Sequence, residues 1–134
     1  MEQQVFPAWM KRFLAVTVFV DDLAVARHWY VDAFGVPIAD ESANSCAFWF
    51  PGGVYINLNS MAGAEELIEP APVGGPGTPA RMMLTLEVDD VDAVDARLRA
   101  IGIEPLNGPI DRPWGSRTIT IADPSGNCWE LAQW

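Results

Sequence analysis

Few side chains in this sequence are of types that do chemistry unaided. His28, the single histidine, sits in Arg27-His28-Trp29-Tyr30 with no partner residue indicated. It reads as a base or, with Trp and Tyr beside it, as a surface or interface residue. Cys46 and Cys128 make neither a disulfide framework nor a zinc signature, and their apolar surroundings suit reduced core residues. The acids dominate: 18 Asp and Glu against 8 Lys and Arg give a formal charge of −10. Such a surface repels phosphate backbones, so no nucleic-acid partner is expected; it keeps the chain soluble or attracts a cationic partner. Six tryptophans favour a binding function, because aromatics line small-molecule pockets as well as cores. No run reaches the ~18 apolar residues of a membrane span. Met1-Glu2-Gln3-Gln4-Val5-Phe6-Pro7 lacks a basic segment followed by an apolar one, so no signal peptide is expected and the cytoplasm is the expected location.

The elements that would position such residues are legible because the chain repeats itself. Residues 16–23 read Val-Thr-Val-Phe-Val-Asp-Asp-Leu and residues 84–91 read Leu-Thr-Leu-Glu-Val-Asp-Asp-Val. Each is an alternating strand that ends at an N-capping aspartate, Asp22 or Asp90. Helical spacing follows, through Leu23, Ala26, Trp29, Tyr30 and Phe34 to Gly35, and through Val91, Val94, Leu98 and Ile101 to Gly102. Both halves close with a hairpin, Ala47–Leu58 around Pro51-Gly52-Gly53 and Thr120–Leu131 around Asp123-Pro124-Ser125-Gly126. The spacing therefore predicts an α+β chain of tandem βαβββ repeats. A first module spans 12–60, a Pro/Gly-rich linker 61–80 and a second module 81–134. The linker centre, Glu69 to Pro79, is too rich in proline and glycine for regular structure. A loop of this length serves as a lid or as a tether.

This doubled pattern, with Val-Asp-Asp before each helix and Asp-Pro-Ser-Gly-Asn before a last strand carrying Trp129-Glu130-Leu131, resembles the vicinal oxygen chelate superfamily. That group holds glyoxalase I, extradiol dioxygenases and the fosfomycin- and bleomycin-resistance proteins. The Pro113-Trp114-Gly115 stretch looks like the bleomycin-resistance branch. The resemblance implies a cupped mixed β-sheet with helices outside, a pocket within the cup and a homodimer. Relatives that bind a divalent metal take one ligand from the first strand and one from the last strand of each half. Those places here are Ala15, Met83, Asn57 and Glu130. Only the last is a good ligand, since alanine has no donor atom, a thioether suits soft copper(I), and an asparagine carbonyl is weak. No metal and no cofactor is therefore expected.

Alternation along strands then sorts the cup. Phe13, Ala15, Thr17 and Phe19 share a face with Arg81, Met83, Thr85 and Glu87. The hairpins add Ala47, Trp49, Tyr55, Asn57 and Asn59, then Thr118, Thr120, Cys128 and Glu130. The opposite face (Leu14, Val16, Val18, Val20, Leu84, Leu86 and Val88) is aliphatic and is expected under the helices. The expected ligand-binding set is Phe19, Trp49, Tyr55, Asn57, Arg81, Met83, Thr85, Trp114, Thr120 and Glu130. Phe19, Trp49 and Tyr55 stack on a flat ligand or simply fill core, and Trp114 rims the pocket or a subunit boundary. Glu130, partly desolvated, would have a raised pKa and act as a general base or pair a cationic ligand; otherwise Arg81 or a backbone amide neutralises it. Three functions follow. The first is a metal-independent binder sequestering an aromatic or cationic compound. The second is a metal-independent isomerase, epimerase or lyase using Glu130 as base, with Arg81 or Tyr55 holding an oxyanion. The third is a pure interaction module; a metal-dependent lyase or dioxygenase is not expected on the ligand count.

Overall fold

The computed structural model describes residues 5–134; residues 1–4, part of the stretch on which the expectation of no signal peptide rests, lie outside it. Each half opens with a strand that feeds a helix: β1 (Val16–Phe19) runs into α1 (Leu23–Phe34), and β5 (Met83–Glu87) into α3 (Val91–Ala100). Asp22 and Asp90 cap these helices, each carboxylate accepting an amide proton at 3.1 Å, from Val25 and Ala93 respectively. The caps satisfy donors that a helix start otherwise leaves free. Gly35 ends α1 in the left-handed region, φ 64°, its amide donating to the Val31 carbonyl.

Three strands complete each half: β2 (Ile38–Glu41), β3 (Ser45–Phe50) and β4 (Val54–Asn59) in the first, and β6 (Asn107–Asp111), β7 (Arg117–Ala122) and β8 (Cys128–Gln133) in the second. The two sheets have the same order, β1-β4-β3-β2 and β5-β8-β7-β6. In each the first strand runs parallel to the last and the other neighbours are antiparallel. The duplication read from the sequence is thus a structural duplication. The cup is built from two four-stranded sheets with no ladder between them. An eight-residue helix, α2 (Met61–Ile68), takes the start of the 61–80 linker, capped by Ser60, whose hydroxyl accepts from the Gly63 amide at 3.2 Å. This stretch has no proline and carries good helix formers, Ala, Glu and Leu. The rest of the linker forms neither helix nor strand.

One apolar cluster joins the halves. Val18, Val20, Phe48, Phe50, Ile56 and Leu58 from the first sheet meet Ile119, Ile121, Trp129 and Leu131 from the second, with Tyr30 of α1 and Leu98 of α3 among them. Trp129 stacks on Phe50 at 5.2 Å and lies 4.7 Å from Phe34 of α1. Most of the expected aliphatic face is therefore core: Val18 and Val20 are buried, and Val16, Leu84, Leu86 and Val88 pack against them. Leu14 is the exception. It is exposed, because β1 begins only at Val16 and the chain before it leaves the sheet. Ile101 is also exposed, since it is the residue that ends α3 rather than part of its packed face.

A buried polar knot ties the same interface. Asp123 accepts the Tyr30 hydroxyl at 2.7 Å, the Ser125 and Asn127 amides at 2.9 Å, and the Asn127 side chain at 3.0 Å. Trp129 Nε1 donates to the Tyr30 oxygen at 3.1 Å. Burial first, then the adjacent Asp123 charge, push the Tyr30 pKa far above its ordinary value, so the hydroxyl remains a donor. Among the described residues no helix is long and apolar enough to cross a membrane.

Candidate functional site

The strand registers place two equivalent rows on the open faces of the sheets. In the first half Asn57 of β4 lies between Thr17 of β1 and Ala47 of β3. In the second, Glu130 of β8 lies between Thr85 of β5 and Thr120 of β7. One row thus carries an amide and the other an acid flanked by two hydroxyls. Thr85 Oγ1 donates to Glu130 Oε1 at 3.2 Å. Glu130 is half-buried and Thr120 buried, while Thr85 opens to solvent. Among the described residues Glu130 forms no ion pair; the five pairs are made by Arg27, His28, Arg99 and Arg117. The alternative in which Arg81 neutralises Glu130 is thereby removed.

The donor chemistry at the four metal positions does not fit a divalent ion. Ala15 and Met83 supply no hard ligand, Asn57 supplies at best a neutral carbonyl, and Glu130 is a single carboxylate. Among the described residues no three His, Cys, Asp or Glu side chains gather within reach of one ion. His28 is on the outer side of α1, its ring 80% exposed and 3.0 Å from Asp32 one turn later, far in kind from a ligand or a cup base.

A cavity of about 320 Å³ opens at the seam between the sheets. Thr17 and Phe19 of β1, Arg81 just before β5 and Cys128 of β8 form part of its wall. Of the expected binding residues, only Phe19 and Arg81 line it. Met83, Thr85, Thr120 and Glu130 occupy the neighbouring β5–β8–β7 face, and Trp49, Tyr55 and Asn57 the β3–β4 face. Trp49 and Tyr55 form an edge-to-face pair at 4.8 Å, with Trp49 half open to water. They are a surface aromatic pair rather than core. Trp114 is 63% exposed and the Arg112 guanidinium lies over its ring at 6.0 Å; it does not reach the cavity. Phe13, expected inside the cup, is exposed for the same reason as Leu14.

Two further segments complete the wall, one of them the linker, for which a place over a pocket was one of two expectations. Gly74, Gly75 and Thr78 to Ala80 of the linker form one side of it, so the Pro/Gly segment lies over the seam. Ser125, read from the sequence as part of a turn, and Asn127 just after that turn also face it. They stitch the halves: Ser125 Oγ accepts the Asp21 amide at 2.8 Å and Asn127 Nδ2 donates to the Phe19 carbonyl at 3.2 Å. The signal was present in the polar Ser-Gly-Asn run, but a turn explained it fully. Cys128, expected as core, is half-buried at the cavity wall, whereas Cys46 is buried.

A doubled βαβββ chain with one acid on the open face of its last strand is defined as a class by that arrangement of first and last strands. The chain belongs to the Glyoxalase/Bleomycin resistance protein/Dioxygenase superfamily, whose family model matches residues 12–131. It is similar to a solved glyoxalase/bleomycin resistance protein/dioxygenase from Nocardioides, with 24% identity over 93% of this chain and 84% of that one, TM-score 0.81. A glyoxalase-related enzyme from Fulvimarina pelagi gives 23% identity over 93% and 89%, TM-score 0.78. A lactoylglutathione lyase from Agrobacterium tumefaciens gives 23% identity over 95% and 94%, TM-score 0.73. At these identities the likeness establishes the fold. No curated protein matches the chain.

Proposed function

We propose that this chain is a metal-independent small-molecule binder, akin to the bleomycin-resistance branch of its superfamily, which holds an aromatic or cationic compound against the Glu130 face. The observation that carries the reading is the state of Glu130: a half-buried carboxylate on an open sheet face, met by one neutral hydroxyl and by no cation. A carboxylate partly withdrawn from water and lacking a counter-ion gains from a cation that a ligand brings. On the other sheet the edge-to-face Trp49–Tyr55 pair, with Trp49 half exposed, offers a further apolar surface. The seam cavity of about 320 Å³ adjoins this face, with Arg81 and Cys128 in its wall, and Glu130 is not part of its lining. A homodimer, in which a second copy covers these open faces, completes the reading, and the cytoplasm is its expected setting.

A second reading has one specific observation in its favour. Thr85 occupies one oxygen of Glu130, which orients the carboxylate and leaves the other oxygen available to take a proton, as a general base in an isomerase or lyase requires.

Bleomycin and ethidium, both aromatic and cationic, serve as probes in a tryptophan-fluorescence titration at ~0.15 M salt, where distant surface charge is screened. Saturable binding is expected, weakened about tenfold by Glu130→Gln, the equivalent of ~1.4 kcal/mol. Glu66→Gln, on the exposed side of α2, is expected to change nothing. Absence of binding, or equal loss in both variants, would overturn the proposal.

A further inference from the structure

We infer that the seam cavity is a second binding site, distinct from the Glu130 face, and that it takes an apolar α-amino acid. Among the described residues its wall carries one acid and one base, Asp21 just after β1 and Arg81 just before β5. Neither enters an ion pair, with the other or with any described residue. Two opposite charges in one small cavity that do not meet each other leave a gap for a molecule carrying both. A plain anion is disfavoured, because Asp21 shares the wall and the chain carries a formal −10, which repels it. A plain cation meets Arg81. A zwitterion satisfies both.

The remaining wall fits the rest of such a molecule. β1 is an edge strand whose one ladder is with β4. The Val20 amide bonds the Asn59 carbonyl on the β4 side, and the Phe19 carbonyl accepts from Asn127 Nδ2 on the other. Alternation therefore turns the Thr17 amide and carbonyl to that same unpaired side, where the carbonyl is an acceptor for an ammonium group. Ser125 Oγ accepts the Asp21 amide at 2.8 Å and keeps its own proton for a carboxylate. Val18, Pro79, Met82 and Leu84 supply apolar surface for a side chain. At about 320 Å³ the cavity stands at the lower end of the ~300–1,000 Å³ of small-molecule sites, which suits a ligand of amino-acid size. The inference goes beyond the ligand proposed for the Glu130 face and does not rest on it, since Glu130 is no part of this wall.

The test is calorimetric titration of the full chain with phenylalanine at ~0.15 M salt, where distant charge is screened. Saturable binding of one molecule per chain is expected at ~10 μM–1 mM, a range suited to so small a ligand. Phenylalaninamide, which lacks the carboxylate, and N-acetylphenylalanine, which lacks the ammonium, are each expected to bind about fivefold or more weakly, through the loss of one charge-assisted contact. Arg81→Gln is expected to abolish the preference over phenylalaninamide, and Asp21→Asn the preference over N-acetylphenylalanine. Circular dichroism of both variants is expected to be unchanged, because neither side chain forms an ion pair in its own chain. Cys128 locates the site independently, being half-buried in the same wall while Cys46 is buried. Saturating phenylalanine is expected to slow alkylation of Cys128 by N-ethylmaleimide about threefold or more, since thiol reactivity follows access. Absence of saturable binding would overturn the inference, as would binding indifferent to both ligand charges. Binding that both variants leave undiminished, or that leaves Cys128 alkylation unchanged, would place the ligand elsewhere and overturn it equally.

Discussion

Tyr30 shows how single residues hold the two halves in the relation the site needs. Its hydroxyl donates to Asp123 and accepts from Trp129 Nε1, so Tyr30→Phe removes an acceptor from one buried group and a donor from another. Loss of buried partners costs about 1–3 kcal/mol, and urea unfolding of the variant at neutral pH should show a loss in that range. The same residue sets an alkaline limit. Its folded-state pKa is raised, chiefly by burial and then by Asp123. The native protein therefore holds this proton more tightly than the unfolded chain does. That contribution is complete below the unfolded-state value of about 10 and is lost as pH rises beyond it. Thermal midpoints measured from pH 8 to 11 should fall more steeply for the wild type than for Tyr30→Phe. Equal slopes would show that Tyr30 does not set the alkaline loss.

At the scale of elements, the β6 irregularity is fixed by one glycine. The β6–β7 register shifts between Asn107 and Ile110, and Gly108 there has φ 90°. A Cβ at Gly108 would stand 2.3 Å from the Thr118 carbonyl oxygen, a contact that only backbone movement can relieve. Gly108→Ala should therefore cost about 2 kcal/mol or more, from left-handed strain together with the clash. Gly52→Ala is the matched control: its φ is 91° but nothing lies within 4 Å of the added carbon. It should cost only about 1–2 kcal/mol, the strain alone. Chemical denaturation of the pair separates the two contributions. The elements themselves were largely legible, because Asp22, Asp90 and Gly35 carry local capping chemistry and β1 and β5 carry strict alternation. The short helix α2 was obscured by the proline and glycine that follow it. The cup was legible as two faces, since alternation alone separates Thr85 and Glu87 from Leu84 and Leu86. Where each strand starts was not. Phe13 and Leu14 continue the apolar pattern yet leave the sheet, and nothing in their side chains marks that departure. The linker's position over the seam was likewise beyond local signals, being a matter of how the two halves pack.

Across the whole molecule, duplication is the organising fact. Two copies of one βαβββ unit share a core through Trp129, Phe34 and Phe50, and each offers the same strand positions to its open face. The copies have diverged at those positions, Asn57 in one and Glu130 in the other, with Ala15 and Met83 ahead of them. The consequence is a superfamily scaffold that carries one acid, Glu130, among these four positions. Fold does not fix chemistry in such a family, and the proposed function rests on the row Thr85–Glu130–Thr120. The central claim is therefore that this site works without a divalent ion, and calorimetric titration of Mn²⁺, Ni²⁺ and Zn²⁺ into the purified chain tests it most directly. The account predicts no saturable site at metal concentrations up to ~100 μM, because a lone carboxylate lacks the three or more protein ligands that hold such ions. One ion bound per chain, with affinity lost in Glu130→Gln, would contradict it and return the chain to the metal-dependent lyases and dioxygenases.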